Sequence, residues 1–163
     1  MSNRALAEKL IANFGTLLTL PELKLDDVSN SCVLLFDGDI VLNIEYDDPT
    51  SQLILSSYLD ELPAEGGEAV LRELMVANLY WHRTDGATLG LEDATNGIIL
   101  AQSRSVTELD DATFEKLVET FVNQTERWKG KLAASKRGEV DASAAAAPAG
   151  LAQGLPSGAR IFG

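Results

Sequence analysis

The sequence predicts one mixed domain, in which a sheet is interrupted by a central helix and flanked by a helix at each end. Two observations predict it. Strand-like runs with alternating apolar residues lie between Leu23 and Leu59 and again between Ala87 and Ala101. Apolar residues at helical spacing lie between and outside those runs. The predicted order is therefore helix, four strands, helix, two strands, helix.

The first element is an amphipathic helix from about Ser2 to Leu18, which Pro21 ends. Gly15 lies inside this helix, and an internal glycine costs about 1 kcal/mol relative to alanine. We therefore expect either fraying at that turn or another segment packed closely against it.

Four strand-like runs follow the first helix, separated by turn residues such as Asp-Gly. They are Leu23–Leu25, Cys32–Phe36, Ile40–Tyr46 and Leu53–Leu59. In the last two runs both alternating sets contain apolar residues. One face of the sheet is expected to pack the core, and the other is available for binding.

The central helix lies within the stretch Leu62–Trp81. Pro63 and the Gly66-Gly67 pair break the preceding strand, and apolar residues then recur at helical spacing up to the aromatic pair Tyr80-Trp81. This apolar face needs a partner, and a second copy of the chain is one candidate.

The second strand pair is predicted at Ala87–Leu91 and Ile98–Gln102, joined through an Asn-Gly turn. The longest helix is predicted from Leu109 to Lys131, with Asp110 or Asp111 as its N-cap.

Residues 1–130 form the predicted domain, and residues 131–163 form a tail rich in Ala, Gly and Pro that is predicted to be disordered. Pro148 and Pro156 prevent a long helix there. The alternative is that Arg160-Ile161-Phe162 is a short docking segment for this chain or for another protein.

The net charge of -12 and a pI near 4.4 argue against nucleic acid or an anionic membrane as the main partner. Cys32 is the single cysteine, so an intrachain disulfide is impossible and a cytoplasmic location fits best. The sequence has neither a signal-peptide pattern nor an apolar run of membrane-spanning length, so we expect no membrane insertion.

No catalytic residue, metal site or cofactor is predicted. His82 is the single histidine, and a dyad with Cys32 is disfavoured because that thiol lies in an apolar strand. The paired acids Asp26-Asp27, Asp47-Asp48 and Asp110-Asp111 lie at turns or helix starts, where aspartate has an ordinary structural role. No phosphate-binding glycine motif is present.

An ordered series of short motifs carries a family resemblance over about Ala5 to Trp128. The motifs are Leu10-Ile11-Ala12-Asn13-Phe14-Gly15, Leu20-Pro21-Glu22-Leu23-Lys24-Leu25-Asp26, Cys32-Val33-Leu34-Leu35-Phe36-Asp37-Gly38, Leu62-Pro63, LRELMVAN from Leu71 to Asn78, Thr84-Asp85-Gly86-Ala87-Thr88-Leu89-Gly90-Leu91-Glu92, and, in the closing helix, Leu109, Phe114, Leu117, Phe121, Val122 and Trp128. In these motifs the chain resembles class I type III secretion chaperones of the Tir chaperone family.

The resemblance implies an α+β fold of three helices on a twisted antiparallel sheet, working as a homodimer with the middle helix and a nearby strand forming the subunit interface. It implies a chaperone of the bacterial cytoplasm that holds the N-terminal chaperone-binding segment of a secreted effector in extended form. The effector is thereby kept soluble and secretion-competent. The implied partners are that effector, a second copy of the chain and the secretion-system ATPase.

By the same resemblance, seven residues are predicted to contact the client: Leu6, Leu10, Phe14, Ile40, Leu42, Ile44 and Ile54. Five are predicted at the dimer interface: Leu71, Leu74, Met75, Asn78 and Trp81. The sequence leaves open which sheet face is outward. A dimeric protein-binding adaptor without a role in secretion is the alternative function, and an enzyme built on His82 is the least favoured one.

Overall fold

A computed structural model describes residues 2–138 and 160–161 of the chain. Over these residues the chain forms three α-helices and six strands. In chain order they are α1 (Asn3–Leu17), β1 (Ser31–Phe36), β2 (Ile40–Asp47), β3 (Gln52–Glu61), α2 (Gly67–Asn78), β4 (Thr88–Glu92), β5 (Gly97–Ser105), α3 (Asp111–Lys136) and β6 (Arg160–Ile161). Short 3-10 turns follow α2 at Leu79–Trp81 and β5 at Val106–Glu108.

The described strands form one antiparallel sheet in the order β4-β5-β3-β2-β1-β6. Hairpins join β1 to β2, β2 to β3 and β4 to β5, whereas β3 and β5 are neighbours separated in sequence by α2 and β4. The long β3–β5 ladder contains a register shift between Tyr58 and Asp60. The predicted α+β fold, with helices at both ends of the strands and one between them, is confirmed.

The core lies on one face of this sheet. Alternate residues of the strands are buried there, including Leu34, Leu42 and Leu55, while the residues between them keep more exposure. Helices α1 and α3 contact each other, and the rings of Phe14 and Phe114 meet edge to face with centroids 5.4 Å apart. These helices and the sheet enclose the apolar residues that the alternation predicts.

Asp110, one of the two predicted candidates, is the N-cap of helix α3. The Asp110 carboxylate accepts the Thr113 backbone N–H at 2.8 Å, and the Thr113 hydroxyl accepts the Asp110 N–H at 2.8 Å. The helix continues past the predicted end at Lys131 to Lys136. Buried Leu132 and a 2.6 Å ion pair from Lys136 to Asp60 of β3 hold this extension.

The prediction of a strand at Leu23–Leu25 is wrong. These residues lie in the loop between α1 and β1, and both leucines are buried while Lys24 is exposed. The alternation therefore reflects two side chains that anchor a loop in the core, without a paired strand. At Gly15 an added Cβ would lie 2.6 Å from the Leu20 carbonyl oxygen, so close packing by this loop explains the glycine.

The predicted tail, residues 131–163, falls on three parts of the chain. Residues 131–136 continue α3, and Arg160–Ile161 form β6 against β1. Residues 139–159 and 162–163 lie outside the described residues, and the prediction of disorder concerns mainly them. None of the helices described has both the length and the apolar character that crossing a membrane requires.

Candidate protein-binding surfaces

Helix α2 has two apolar faces. Its inner face buries Val70, Leu74 and Ala77 against the core. Its outer face and the turn after it leave five large apolar side chains exposed, with the partly buried Leu71 beside them. Together these six residues are called here the α2 patch: Leu71, Met75, Val76, Leu79, Tyr80 and Trp81. Met75 is 75% exposed and Tyr80 is 72% exposed, which is unusual for neighbouring apolar side chains on a soluble domain.

A groove of about 450 Å³ runs along the α2 patch, lined by Glu68, Leu71, Arg72, Met75, Val76 and Leu79. Its floor is apolar, and Glu68 and Arg72 supply one charge of each sign at its rim. An apolar centre with a polar rim is the usual composition of a protein interface. The α2 patch therefore has the composition of a protein interface.

The aromatic end of the α2 patch is held by an unusual backbone. Tyr80 and Trp81 both adopt the left-handed region, each with φ of 55°. Bulky residues rarely adopt this region, and each such residue costs on the order of 1–3 kcal/mol. The Trp81 indole N–H donates to the Thr88 hydroxyl at 3.3 Å, which fixes the ring against β4. Strain of this kind at exposed aromatic residues makes them candidates for a functional role.

The predicted interface residues separate into two groups. Leu71, Met75 and Trp81 belong to the α2 patch. Leu74 lies in the core, and the Asn78 amide binds β4 of its own chain. Sequence reasoning left Val76, Leu79 and Tyr80 outside the interface set, although the unbroken apolar run from Leu74 to Ala77 signals a helix with more than one apolar face.

Most of the predicted client residues face the interior of the chain. Ile40, Leu42 and Ile44 lie on the side of β2 that the helices cover, and Leu10 and Phe14 lie on the inner face of α1. All of these side chains are buried. Leu6 and Ile54 keep partial exposure, Leu6 on α1 and Ile54 on the outer face of the sheet.

A second groove, of about 530 Å³, lies on the outer face of the sheet and is called here the outer-face groove. It brings together Ile54 and Trp81, which the sequence assigns to different functions. Its other lining residues are mainly polar: Asp47, Thr50, Gln52, Gly86, Thr88, Ala101, Gln102, Ser103 and Arg104. This mixed surface is suited to an extended chain whose backbone needs hydrogen-bond partners.

At each edge of the sheet a different group pairs with the outward-facing backbone. At the β4 edge, the Asn78 amide donates to the Leu89 carbonyl oxygen at 2.8 Å and accepts the Leu89 N–H at 2.8 Å. At the β1 edge, Leu34 and Leu35 pair with Ile161 and Arg160 of β6. Asn78 thus satisfies the backbone of one residue at the β4 edge, and β6 pairs with two residues at the β1 edge.

The titratable groups are in structural positions. Burial raises the pKa of the Cys32 thiol to about 12, so the thiol is protonated and unreactive at neutral pH. The Ser29 and Val28 backbone N–H groups hold the pKa of Asp26 below its ordinary value, and Thr113 does the same for Asp110. His82 is exposed beside Tyr80, with ring centroids 6.0 Å apart.

No group of three or more His, Cys, Asp and Glu side chains is placed to hold a metal ion within residues 2–138 and 160–161. Gln124 donates to the Asp85 carboxylate, and Asp85 lies on the wall of a shallow polar depression between β5 and α3. The arrangement of the described residues offers apolar and backbone surfaces for binding a polypeptide.

Comparison with known proteins agrees with this architecture. The profile of the Tir chaperone protein (CesT) family matches residues 9–129. A curated relative, the transcriptional anti-antiactivator ExsC of Pseudomonas aeruginosa, is 26% identical over 121 residues, which cover 74% of this chain and 81% of the relative.

Two solved structures of similar fold are complexes. The ExsC-ExsE complex matches with a TM-score of 0.69 at 23% identity, covering 80% of this chain and 96% of the matched one. The HopA1-SchA chaperone-effector complex matches with a TM-score of 0.65 at 19% identity, covering 78% of this chain and 95% of the matched one. At these identities the likeness concerns the fold.

Proposed function

The chain belongs to the Tir chaperone protein (CesT) family, and on this premise we propose that it is a cytoplasmic chaperone for a type III secretion effector. In this proposal it binds the N-terminal chaperone-binding segment of the effector in extended form and keeps the effector soluble and secretion-competent. The observation that carries the proposal is the family match over most of the folded domain. The HopA1-SchA chaperone-effector complex, similar in fold, supports it.

The exposed surfaces support binding without catalysis. An extended client gains backbone hydrogen bonds along a sheet and buries alternate side chains in grooves. Each apolar side chain that becomes fully buried contributes about 1.5–3 kcal/mol, so a few anchors offset the cost of ordering the segment. We assign Leu6 and Ile54 to direct client contact, because they keep exposed surface. Leu10, Phe14, Ile40, Leu42 and Ile44 then support that surface from the core side.

We further propose that the chain is a homodimer through the α2 patch. Met75, Leu79 and the strained Tyr80 are exposed in the single chain, and a second copy placed on the groove covers them. Dimer formation also lengthens the path that one client segment follows. The complex is then delivered to the secretion-system ATPase, while the net charge of -12 keeps it soluble and attracts basic client segments.

The dimer is tested with Met75→Asp, which places a charge in the centre of the α2 patch. We expect the wild type to elute as a dimer in size-exclusion chromatography with light scattering and the variant to be a monomer. Val28→Asp is the matched control, because Val28 is 93% exposed and lies outside the patch. A dimeric Met75→Asp variant contradicts this interface. Leu74 is unsuitable for the test because it lies in the core.

The chaperone function is tested by co-purification from cells that carry the native secretion system, followed by mass spectrometry and limited proteolysis. We expect one dominant partner with a protease-protected N-terminal segment. Deleting that segment from the partner is expected to abolish both its retention on the chain and its secretion. A partner that is retained through a folded domain, and secreted equally without the chain, contradicts the proposal.

A regulatory function is the second candidate, and the similarity to the anti-antiactivator ExsC favours it. In that case the chain binds a regulatory protein and thereby changes transcription, without contacting DNA. The acidic composition is compatible with this indirect role. The same co-purification distinguishes the two functions, because a regulatory partner is expected to be retained without being secreted. A dimeric adaptor unrelated to secretion is expected to retain neither class.

A further inference from the structure

The β1 edge is the starting point, because its surface lacks the usual protection of an edge strand. The strand has the sequence SCVLLF, which contains no charged residue and no proline. An uncharged apolar edge strand is a template for pairing with any extended chain. Within the described residues, β6 is the element that pairs with the outer side of β1.

The strand β6 comes from the far end of the chain. Helix α3 ends at Lys136, and residues 139–159 connect it to Arg160. A segment of that length can span up to about 70 Å when extended, which exceeds the size of a small domain. The return of the C-terminal segment to β1 therefore needs no distortion of the folded domain.

The register places the two β6 residues at defined positions. Ile161 is paired with Leu34, and Arg160 is paired with Leu35, antiparallel to β1. Leu35 is close in sequence to the acidic turn Asp37-Gly38-Asp39, which follows β1. Arg160 is thus paired near the end of β1 that leads into this acidic turn, in which Asp39 is ion-paired with Lys129 of α3.

We propose that β6, Arg160–Ile161, is an intramolecular strand that occupies the β1 edge and competes there with an extended strand of the client. This inference rests on the proposed function. The strand closes the edge in the free chain, where it prevents pairing between copies, and it leaves when a longer client strand binds. In the free chain, the strand that pairs with the β1 edge is thus β6 of the same molecule.

The energetics favour an occupied but displaceable edge. A strand pair of two residues is weak, because isolated short pairings are marginal in water. Because β6 belongs to the same chain as β1, its effective concentration at the edge is on the order of millimolar, which compensates for the weak pairing. A client strand that pairs over the whole of β1 gains more hydrogen bonds than β6 and replaces it.

The first test measures amide hydrogen exchange at Leu34 and Leu35 in the full chain and after deletion of residues 159–163. Successive N–H groups of a strand point to opposite sides, so one of these amides points to β6 and the other to β2. We expect the first to exchange at least about tenfold faster after the deletion, and the second to be unchanged. Deletion of residues 143–147 removes equal length from the connecting segment and is expected to change neither.

Equal exchange of both amides in the full chain and the deletion variant overturns the proposal. Ile161→Pro provides a second variant of full length, since proline removes an N–H and disfavours pairing within a strand. Protection that disappears on dilution also overturns it, because the strand then comes from a second copy.

The second test uses a labelled peptide with the sequence of residues 157–163. We expect it to bind the 159–163 deletion variant at least about tenfold more tightly than it binds the full chain, because the full chain carries its own competitor. A peptide of the same composition in scrambled order is the control. Equal binding to both proteins, or binding to neither, contradicts the proposal.

Neither test uses a client, so their outcomes are independent of whether the chain serves an effector. If the proposed function holds and the tail proposal fails, an identified client segment binds the full chain and the deletion variant equally. If the tail proposal holds and the function fails, the exchange and peptide results remain while no secreted partner is found.

Discussion

The two edges of the sheet differ in how their outward backbone N–H and C=O groups find hydrogen-bond partners. One partner is fixed in the folded domain, and the other is a short strand at the end of a long segment. At the β4 edge a side chain of α2 accepts and donates one hydrogen bond each, and Asn78 is fixed by the helix that carries it. At the β1 edge a two-residue strand arrives after a long connecting segment. Asn78 is part of the core domain, whereas β6 can detach without unfolding that domain.

Removing the Asn78 side chain is expected to have the largest effect. Asn78→Ala leaves the Leu89 N–H and carbonyl without partners in a partly buried place, and we expect the free energy of unfolding to fall by about 2–4 kcal/mol. Chemical denaturation of the wild type and the variant measures this difference in the free energy of unfolding. Asn13→Ala is the control, since it removes an exposed hydrogen bond to Asp111 and is expected to cost about 1 kcal/mol or less. Equal losses in both variants contradict the special role of Asn78.

The loop that leads into β1 supplies the next test. Gly15→Ala places a Cβ 2.6 Å from the Leu20 oxygen and 2.7 Å from the Leu23 Cβ. We expect a loss of about 1–3 kcal/mol of unfolding free energy, since the backbone must move. Gly130→Ala in α3 meets nothing within 4 Å and is expected to gain about 0.4–1 kcal/mol. Thermal unfolding compares them, and a neutral Gly15→Ala is incompatible with a fixed loop.

Removing β6 is expected to change the global stability of the domain little. Deletion of residues 159–163 should lower the free energy of unfolding by about 1 kcal/mol or less, because few hydrogen bonds are lost. The consequence appears instead as faster self-association at high protein concentration, measured by light scattering. A loss as large as that of Asn78→Ala places β6 among the structural strands and removes the contrast between the edges.

The smallest effect is a pH dependence at the start of β1. Asp26 accepts the N–H groups of Val28 and Ser29 at 3.0 and 2.8 Å, and its folded pKa lies below the ordinary value of 3.8. Its contribution to stability is complete above the ordinary pKa and is lost as the pH falls through the folded pKa. The difference in stability between wild type and Asp26→Ala should therefore shrink in acid. A constant difference over that range contradicts this assignment.

The sequence predicts the elements well because their signals are local. The period of the apolar residues defines α1, α2, α3 and the strands β1 to β5, and an aspartate at position 110 or 111 marks the start of α3. The strand prediction at Leu23–Leu25 is wrong because alternating apolar residues indicate only which side chains are buried. A buried side chain in a loop gives the same pattern without a neighbouring strand.

The binding surfaces are less predictable because they depend on which face each neighbour covers. Alternation separates Ile40 from Val41, but only the packing of α1 and α3 decides that Ile40 is inside. Helical spacing likewise cannot distinguish the inner Leu74 from the outer Met75. The pairing of Asn78 with Leu89 depends on the docking of α2 against β4, which no local pattern records.

The position of Cys32 has a practical consequence. This thiol is the single one in the chain, lies on the core side of β1 and is 8% exposed, with a pKa raised to about 12. A thiol reagent at neutral pH therefore reacts only during excursions that expose the strand, and the labelling rate counts those excursions. The labelling rate of Cys32 in the unmodified protein thus measures how often β1 opens. A cysteine introduced at Met75 reacts far faster, so a probe can be attached to the α2 patch while Cys32 stays in place.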